Sequence, residues 1–132
     1  MEKLTPSLEE NLHTFRELFH APENQDFVVR ELKPGGVRLA VLCIDGMASR
    51  RNIESAVLRP LMNAPPFGSL PPETRAQALL DKVLPTGTGE KEERVQNIAE
   101  FLLDGNCAVL IDGCAQAVLA ETQGYDTRSV NQ

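Results

Sequence analysis

Two apolar runs in this chain end in the same three residues. VLCIDG occupies positions 41–46 and VLIDG occupies 109–113, so Ile44-Asp45-Gly46 and Ile111-Asp112-Gly113 close them. Residues 37–44 (VRLAVLCI) are nearly continuous in apolar side chains after Arg38. A run of that kind reads as a strand covered on both faces. Two such runs fix the chain as a layered α/β structure with helices on the sheet faces. An aspartate just past a central strand suits either a ligand site or a turn whose side chain satisfies backbone N–H groups.

The rest of the chain supplies the elements around these runs. Residues 7–20 read as a helix: Ser7 and Glu10 form a capping box, and Leu8, Leu12, Phe15 and Phe19 share a face. Ala21-Pro22 ends it, leaving His13 and His20 as exposed helix residues. Residues 26–32 (DFVVREL) are a strand, joined through the turn Lys33-Pro34-Gly35-Gly36 to 37–44 as an antiparallel hairpin. Ser49 is the N-cap expected for a helix over about 50–62, with Ile53, Ala56, Val57 and Leu61 inward and Pro60 kinking or shortening its last turn. A proline-rich connection follows at 64–72. A helix from Pro72 to Leu84 comes next, with Ala76, Leu79, Leu80 and Val83 inward. A further helix spans 90–103, acid-rich at its start, with Val95, Ile98, Ala99 and Leu102 inward. Strand 107–112 and strand 114–121 close a second hairpin through Asp112-Gly113, with positive φ expected at both turn positions.

The expected fold is therefore α/β, with a small mixed sheet of about four strands flanked by helices. Strands 37–44 and 107–112 are expected parallel at its centre, with their hairpin partners outside. In domain terms, 1–24 is an N-terminal helix, 25–121 an α/β subdomain, and 122–132 a polar linker.

Composition narrows the functional classes. The net charge of −6 argues against the basic face that general nucleic-acid binding needs and gives no reason to expect adhesion to anionic lipid. No run approaches the ~20 apolar residues of a transmembrane helix, and residues 1–10 carry no apolar signal core. The chain itself is expected to be soluble. The three cysteines, Cys43, Cys107 and Cys114, all lie in apolar runs, which reads as buried thiols in a reducing compartment.

Candidate chemistry centres on the two acids. Asp45 with Asp112 could hold a divalent metal, but no DxD, HxH or ExxH pattern stands beside either. A turn role for Gly46, Asp112 and Gly113 is the simpler reading, and no metal or cofactor is expected. Lys33–Gly36 and Thr86–Lys91 match no phosphate-loop pattern. Arg50 and Arg51 start a helix whose dipole disfavours cations there; such a conflict marks a ligand or partner surface or, as the simpler reading, a solvated pair beside Asp45. Asp45, Ser49, Arg50 and Arg51 are accordingly the candidate ligand-binding residues. No serine-hydrolase motif or activated cysteine argues for an enzyme.

Four blocks carry a family resemblance: DFVVREL (26–32), LAVLCIDGM (39–47), RPLM (59–62) and VLIDGCAQAVLAETQGYDTRSV (109–130). The last is the most specific, with Gly124, Tyr125, Arg128 and Ser129 in a Gly-aromatic-x-x-Arg-Ser sequence. Together they resemble the spore germination receptor A-subunit family, from about residue 25 to the end. The resemblance implies the first of two α/β subdomains in the soluble N-terminal region of a multi-pass membrane protein of endospore-forming bacteria. It implies a place on the cytoplasmic (spore-core) side of the inner membrane. The implied partners are B and C subunits and the rest of the A subunit, with a small nutrient as possible ligand and contact with the membrane only through further C-terminal segments. A Gly-Pro-Arg-containing block that follows in the family is not in the sequence, so the chain is expected to be a piece of a longer protein. The family offers no catalytic residues. Alternatives are the related A-like protein of the stage V sporulation operon and a stand-alone metal-dependent enzyme or regulatory domain using Asp45 and Asp112.

Overall fold

In the computed structural model, residues 2–84 and 89–122 are described. The expected tail at 123–132, with Gly124, Tyr125, Arg128 and Ser129, lies outside them, as do residues 85–88 of the second glycine-rich stretch. The described residues form five strands: β1 (Phe27–Leu32), β2 (Leu39–Ile44), β3 (Glu90–Glu92), β4 (Cys107–Ile111) and β5 (Ala117–Ala120). The helices are α1 (Leu8–Leu18), α2 (Arg50–Ile53), α3 (Arg59–Met62), α4 (Arg75–Lys82) and α5 (Val95–Leu103).

The strands make one sheet in the order β1-β2-β4-β5-β3, and every neighbouring pair is antiparallel. Alternation along the strands sends Leu39, Val41, Val109, Ile111 and Val118 to one face, where they meet Ile53, Val57, Leu61 and Leu79 of α2 through α4. Ala40, Leu42, Ala108, Leu110 and Leu119 face the other way, against Leu8, Leu12 and Phe15 of α1 and Ile98 and Leu102 of α5. Every residue of β4 and β5 is buried, as strands covered on both faces must be. Helix α1 thus belongs to the same core as the sheet.

The expected parallel central pair is corrected: β2 and β4 run antiparallel, with Leu39 opposite Ile111 and Leu42 opposite Ala108. The cause is the strand missing from the four expected. Glu90–Glu92 was expected as the first turn of a helix over 90–103, but it pairs with Ala117–Leu119 along the outer edge of β5. Open backbone groups on that edge outweigh the helix preference of Glu-Lys-Glu. The parallel relation in this sheet joins β3 to β4 through α5, and β5 is inserted between them. The helix proper begins after Arg94, where Glu92 Oε2 accepts from the N–H groups of Glu93 (3.1 Å) and Arg94 (2.9 Å).

Three local readings are also refined. Ser7 Oγ accepts from Glu10 N–H at 3.2 Å, but the Ser7 N–H donates to Thr5 Oγ1 at 3.1 Å, so the reciprocal half of the capping box is replaced. Helix α1 ends in a Schellman motif: His20 adopts φ 60, and the N–H groups of His20 and Ala21 donate to Glu17 and Arg16 carbonyls. Pro60 does not end its helix before Met62. A π-helical stretch, Glu54–Leu58, sits between α2 and α3, and Arg59 N–H donates to Glu54 O five residues back. Widening that turn accommodates a ring with no N–H, and the helical path reaches Met62.

Candidate functional site

Both Ile-Asp-Gly sequences fold into the same β-turn. Met47 N–H donates to Ile44 O (3.1 Å), and Cys114 N–H donates to Ile111 O (3.2 Å). The glycine at the third position has φ +89 in the first turn and +88 in the second. A type II turn needs that positive φ at its third residue, so the expected positive φ at both central positions of the second turn is corrected to one. The second turn also sits in a longer hairpin connection than the two residues expected, because β4 ends at Ile111 and β5 starts at Ala117.

The antiparallel centre places the two turns at opposite ends of the sheet. Asp45 continues the β1–β2 ladder, its N–H donating to Asp26 O at 2.7 Å, whereas Asp112 N–H donates to Arg38 O at 3.0 Å. The length of β2 lies between them, roughly 20 Å at the usual strand rise. One metal ion cannot bind both acids. Among the described residues, no three His, Cys, Asp or Glu side chains gather into a metal cluster.

Asp112 is committed to holding the fold. Its Oδ1 accepts from Leu8 N–H at 3.2 Å, which satisfies an orphan donor at the start of α1 and sets a negative charge at the helix's positive end. Its carbonyl accepts from Arg75 Nη1 at 2.9 Å, and Arg75 Nη2 donates to Gly68 O at 3.2 Å. Gly113 N–H donates to Pro6 O at 2.8 Å. Arg75 thus clamps the turn to the proline-rich connection. Sequence reading missed it, because no local pattern marks an arginine that serves two distant carbonyls.

Asp45 stands at the rim of a notch. The turn at 44–47 leads through Ala48 to the Ser49 cap, whose Oγ accepts from Asn52 N–H at 3.1 Å. Between α2 and the β1–β2 face lies a pocket of about 360 Å³. Val28, Val41, Ile53 and Leu58 give it apolar walls, and Cys43 adds a thiol. Arg30, Arg50, Asp45 and Glu54 give it charge of both signs. Arg50 Nη2 reaches Asp45 Oδ1 at 3.1 Å and Oδ2 at 3.2 Å, and Nε reaches Oδ1 at 3.3 Å. Burial pushes the Cys43 thiol up. The Asp45 charge adds to that rise, and Arg50 and Arg30 oppose it. A thiol held protonated in this way is a poor nucleophile.

Of the four candidate residues, the structure brings Asp45 and Arg50 together at this notch. Ser49 lies beside them as the helix cap, and its N–H donates to Thr122 O at 3.0 Å. Arg51 is exposed and does not line the pocket. Sequence reading missed Arg30 and Glu54. Two signals pointed to them: alternation along β1 puts Arg30 on the face of Val28, and Glu54 follows Arg50 by four residues, one helical turn. No helix of the described residues is long and apolar enough to cross a membrane.

Comparison with known proteins adds an independent line. A family model described as Bacillus/Clostridium GerA spore germination protein matches residues 13–132. The chain is 28% identical over 132 residues to spore germination protein KA of Bacillus subtilis (strain 168), an overlap covering 98% of this chain and 23% of that protein. It therefore spans about a quarter of that relative's length. Its fold is similar to the crystal structure of the N-terminal domain of the A subunit of the Bacillus megaterium spore germinant receptor GerK3. That match has a TM-score of 0.69 and 23% identity, and covers 95% of this chain and 99% of the other.

Proposed function

The chain belongs to the Bacillus/Clostridium GerA spore germination protein family, and on that premise we propose that it is the first soluble lobe of a germinant-receptor A subunit. The observation that carries this reading is the family match across residues 13–132, on a fold shared with the A-subunit domain of GerK3. In this reading the lobe takes part in nutrient-triggered germination by binding and transmission, not catalysis. It works with B and C subunits on the spore-core face of the inner membrane. Residues 122–132 are its linker toward a second subdomain.

The notch is the proposed seat of a small ligand held between this lobe and the second one. Asp45 and Arg50 supply charge of each sign at its rim, and Val28, Val41 and Ile53 supply apolar contact. Ser49 ties this corner to the strand from which the chain departs, because it bonds Thr122 O two residues past the end of β5. Ligand contact at Arg50 would then bear on the segment that leads to the rest of the subunit. The metal-enzyme alternative has no such support, since its two acids lie far apart.

An antibody to this domain, applied to membrane and soluble fractions of dormant spores, tests the subunit assignment. A band much larger than the 132-residue chain, confined to the membrane fraction, is expected. A soluble band of the chain's own size would overturn it. For the notch, calorimetry on a two-lobe fragment should show nutrient binding that Arg50→Ala weakens at least several-fold. Unchanged binding would remove Arg50 from the site.

A further inference from the structure

We propose that Cys43 and Cys107 form a cross-strand dithiol that a small-molecule disulfide converts into a reversible intramolecular disulfide, fastening β2 to β4 beside the notch. The register carries the inference. Leu42 lies opposite Ala108, so the next pair along the same ladder is Cys43 opposite Cys107. Both cysteines sit in the same hydrophobic cluster, hence on the same face of the sheet. All three cysteines are free thiols in the structure.

The pair also has the spacing a disulfide needs. Asp112 N–H donates to Arg38 O, which makes 38–112, 40–110 and 42–108 the hydrogen-bonded pairs of this ladder. On the other side of β2, Asp45 N–H donates to Asp26 O, so Cys43 directs its backbone groups toward β1. Both observations make 43–107 a non-hydrogen-bonded pair. Such pairs hold their Cα atoms about 4.5 Å apart with side chains close together, at the short end of the range that disulfides bridge. A bond formed there is strained and gives way readily to a thiol reductant. Cys114 is excluded: it lies in the turn at the opposite end of β4, with its Sγ 3.6 Å from Glu73 O.

Access decides the order of events. Cys107 is fully buried, whereas Cys43 is half-buried and lines the notch. The Cys43 thiolate attacks one sulfur of the small disulfide RSSR. The S–S bond breaks, a mixed disulfide forms at Cys43, and the departing RS⁻ takes up a proton. Cys107 then attacks the Cys43 sulfur and releases the second RS⁻, which takes up the proton that Cys107 gives up. Two protein thiols are oxidised, and one RSSR is reduced to two RSH. Burial pushes both thiols up, Cys107 to about 12, so thiolate is scarce and the exchange is slow near neutrality.

The test is to incubate the folded chain with excess oxidised glutathione in mildly alkaline buffer, quench with acid, then denature, alkylate and map the peptides. Free thiols should fall from the three of the reduced chain to one, at Cys114, with a single linked peptide pair joining Cys43 to Cys107. Dithiothreitol should restore all three. Oxidation in denaturant should give mixed pairings, and Cys43→Ala should abolish the native link while Cys107 stays free. Three thiols surviving prolonged oxidation, arrest at a mixed disulfide on Cys43, or a link to Cys114 would each overturn the proposal.

Discussion

The turns at Ile44–Met47 and Ile111–Cys114 share three residues, one hydrogen-bond pattern and the same glycine conformation, yet they do unlike work. At the first turn, Asp45 faces an arginine that is 84% exposed, and a Cβ on Gly46 would meet nothing within 4 Å. At the second, Asp112 receives an N–H of α1, and a Cβ on Gly113 would stand 2.8 Å from Pro72 Cβ and 3.1 Å from Arg75 Nη1. The motif specifies a local bend. Whether that bend is a site or a fastening depends on what packs against it. Identical sequence signals are thus weak evidence for a shared role, and the open copy is the one able to receive a ligand.

Substitution at the glycines gives the largest expected contrast. Gly113→Val meets both positive φ and crowding, and should cost on the order of 3 kcal/mol, read as a fall in the urea midpoint. If it costs no more than Gly46→Ala, the crowding around Pro72 and Arg75 is not real. Asp112→Ala strands the Leu8 N–H at the start of α1. A loss of about 1–2 kcal/mol is expected, with faster amide exchange in the first turn of that helix as the local signature. Gly46→Ala meets positive φ alone and should cost about 1 kcal/mol. Asp45→Ala removes an exposed ion pair and should change stability by less than about 0.5 kcal/mol. A larger loss there would show that Asp45 also serves the fold and would weaken its assignment to the notch.

Much of the architecture was readable from residues close in sequence. The buried faces of α4 and α5, the Ser49 cap and the two-sided burial of β2 and β4 all follow from periodicity and capping chemistry. Glu90–Glu92 was not readable. Three charged residues carry no strand signal, and they become a strand because β5 offers an unpaired edge. That omission also produced the wrong relation between β2 and β4, since the direction of β4 follows from the crossover that starts at β3. At the site, Asp45 and Arg50 were legible because five residues separate them along a turn and a helix start. Arg30 and Arg75 were not, because their partners lie on other elements.

The sequence by itself determined where the chain bends and which side chains are buried, because φ preferences and hydrophobic periods act within a few residues. Only the tertiary structure decided that the two aspartates stand at opposite ends of the sheet, that one caps α1 while the other borders a notch, and that Cys43 lies opposite Cys107. Those outcomes depend on strand order, direction and register. Strand pairing sets them across distances in sequence that no local preference spans.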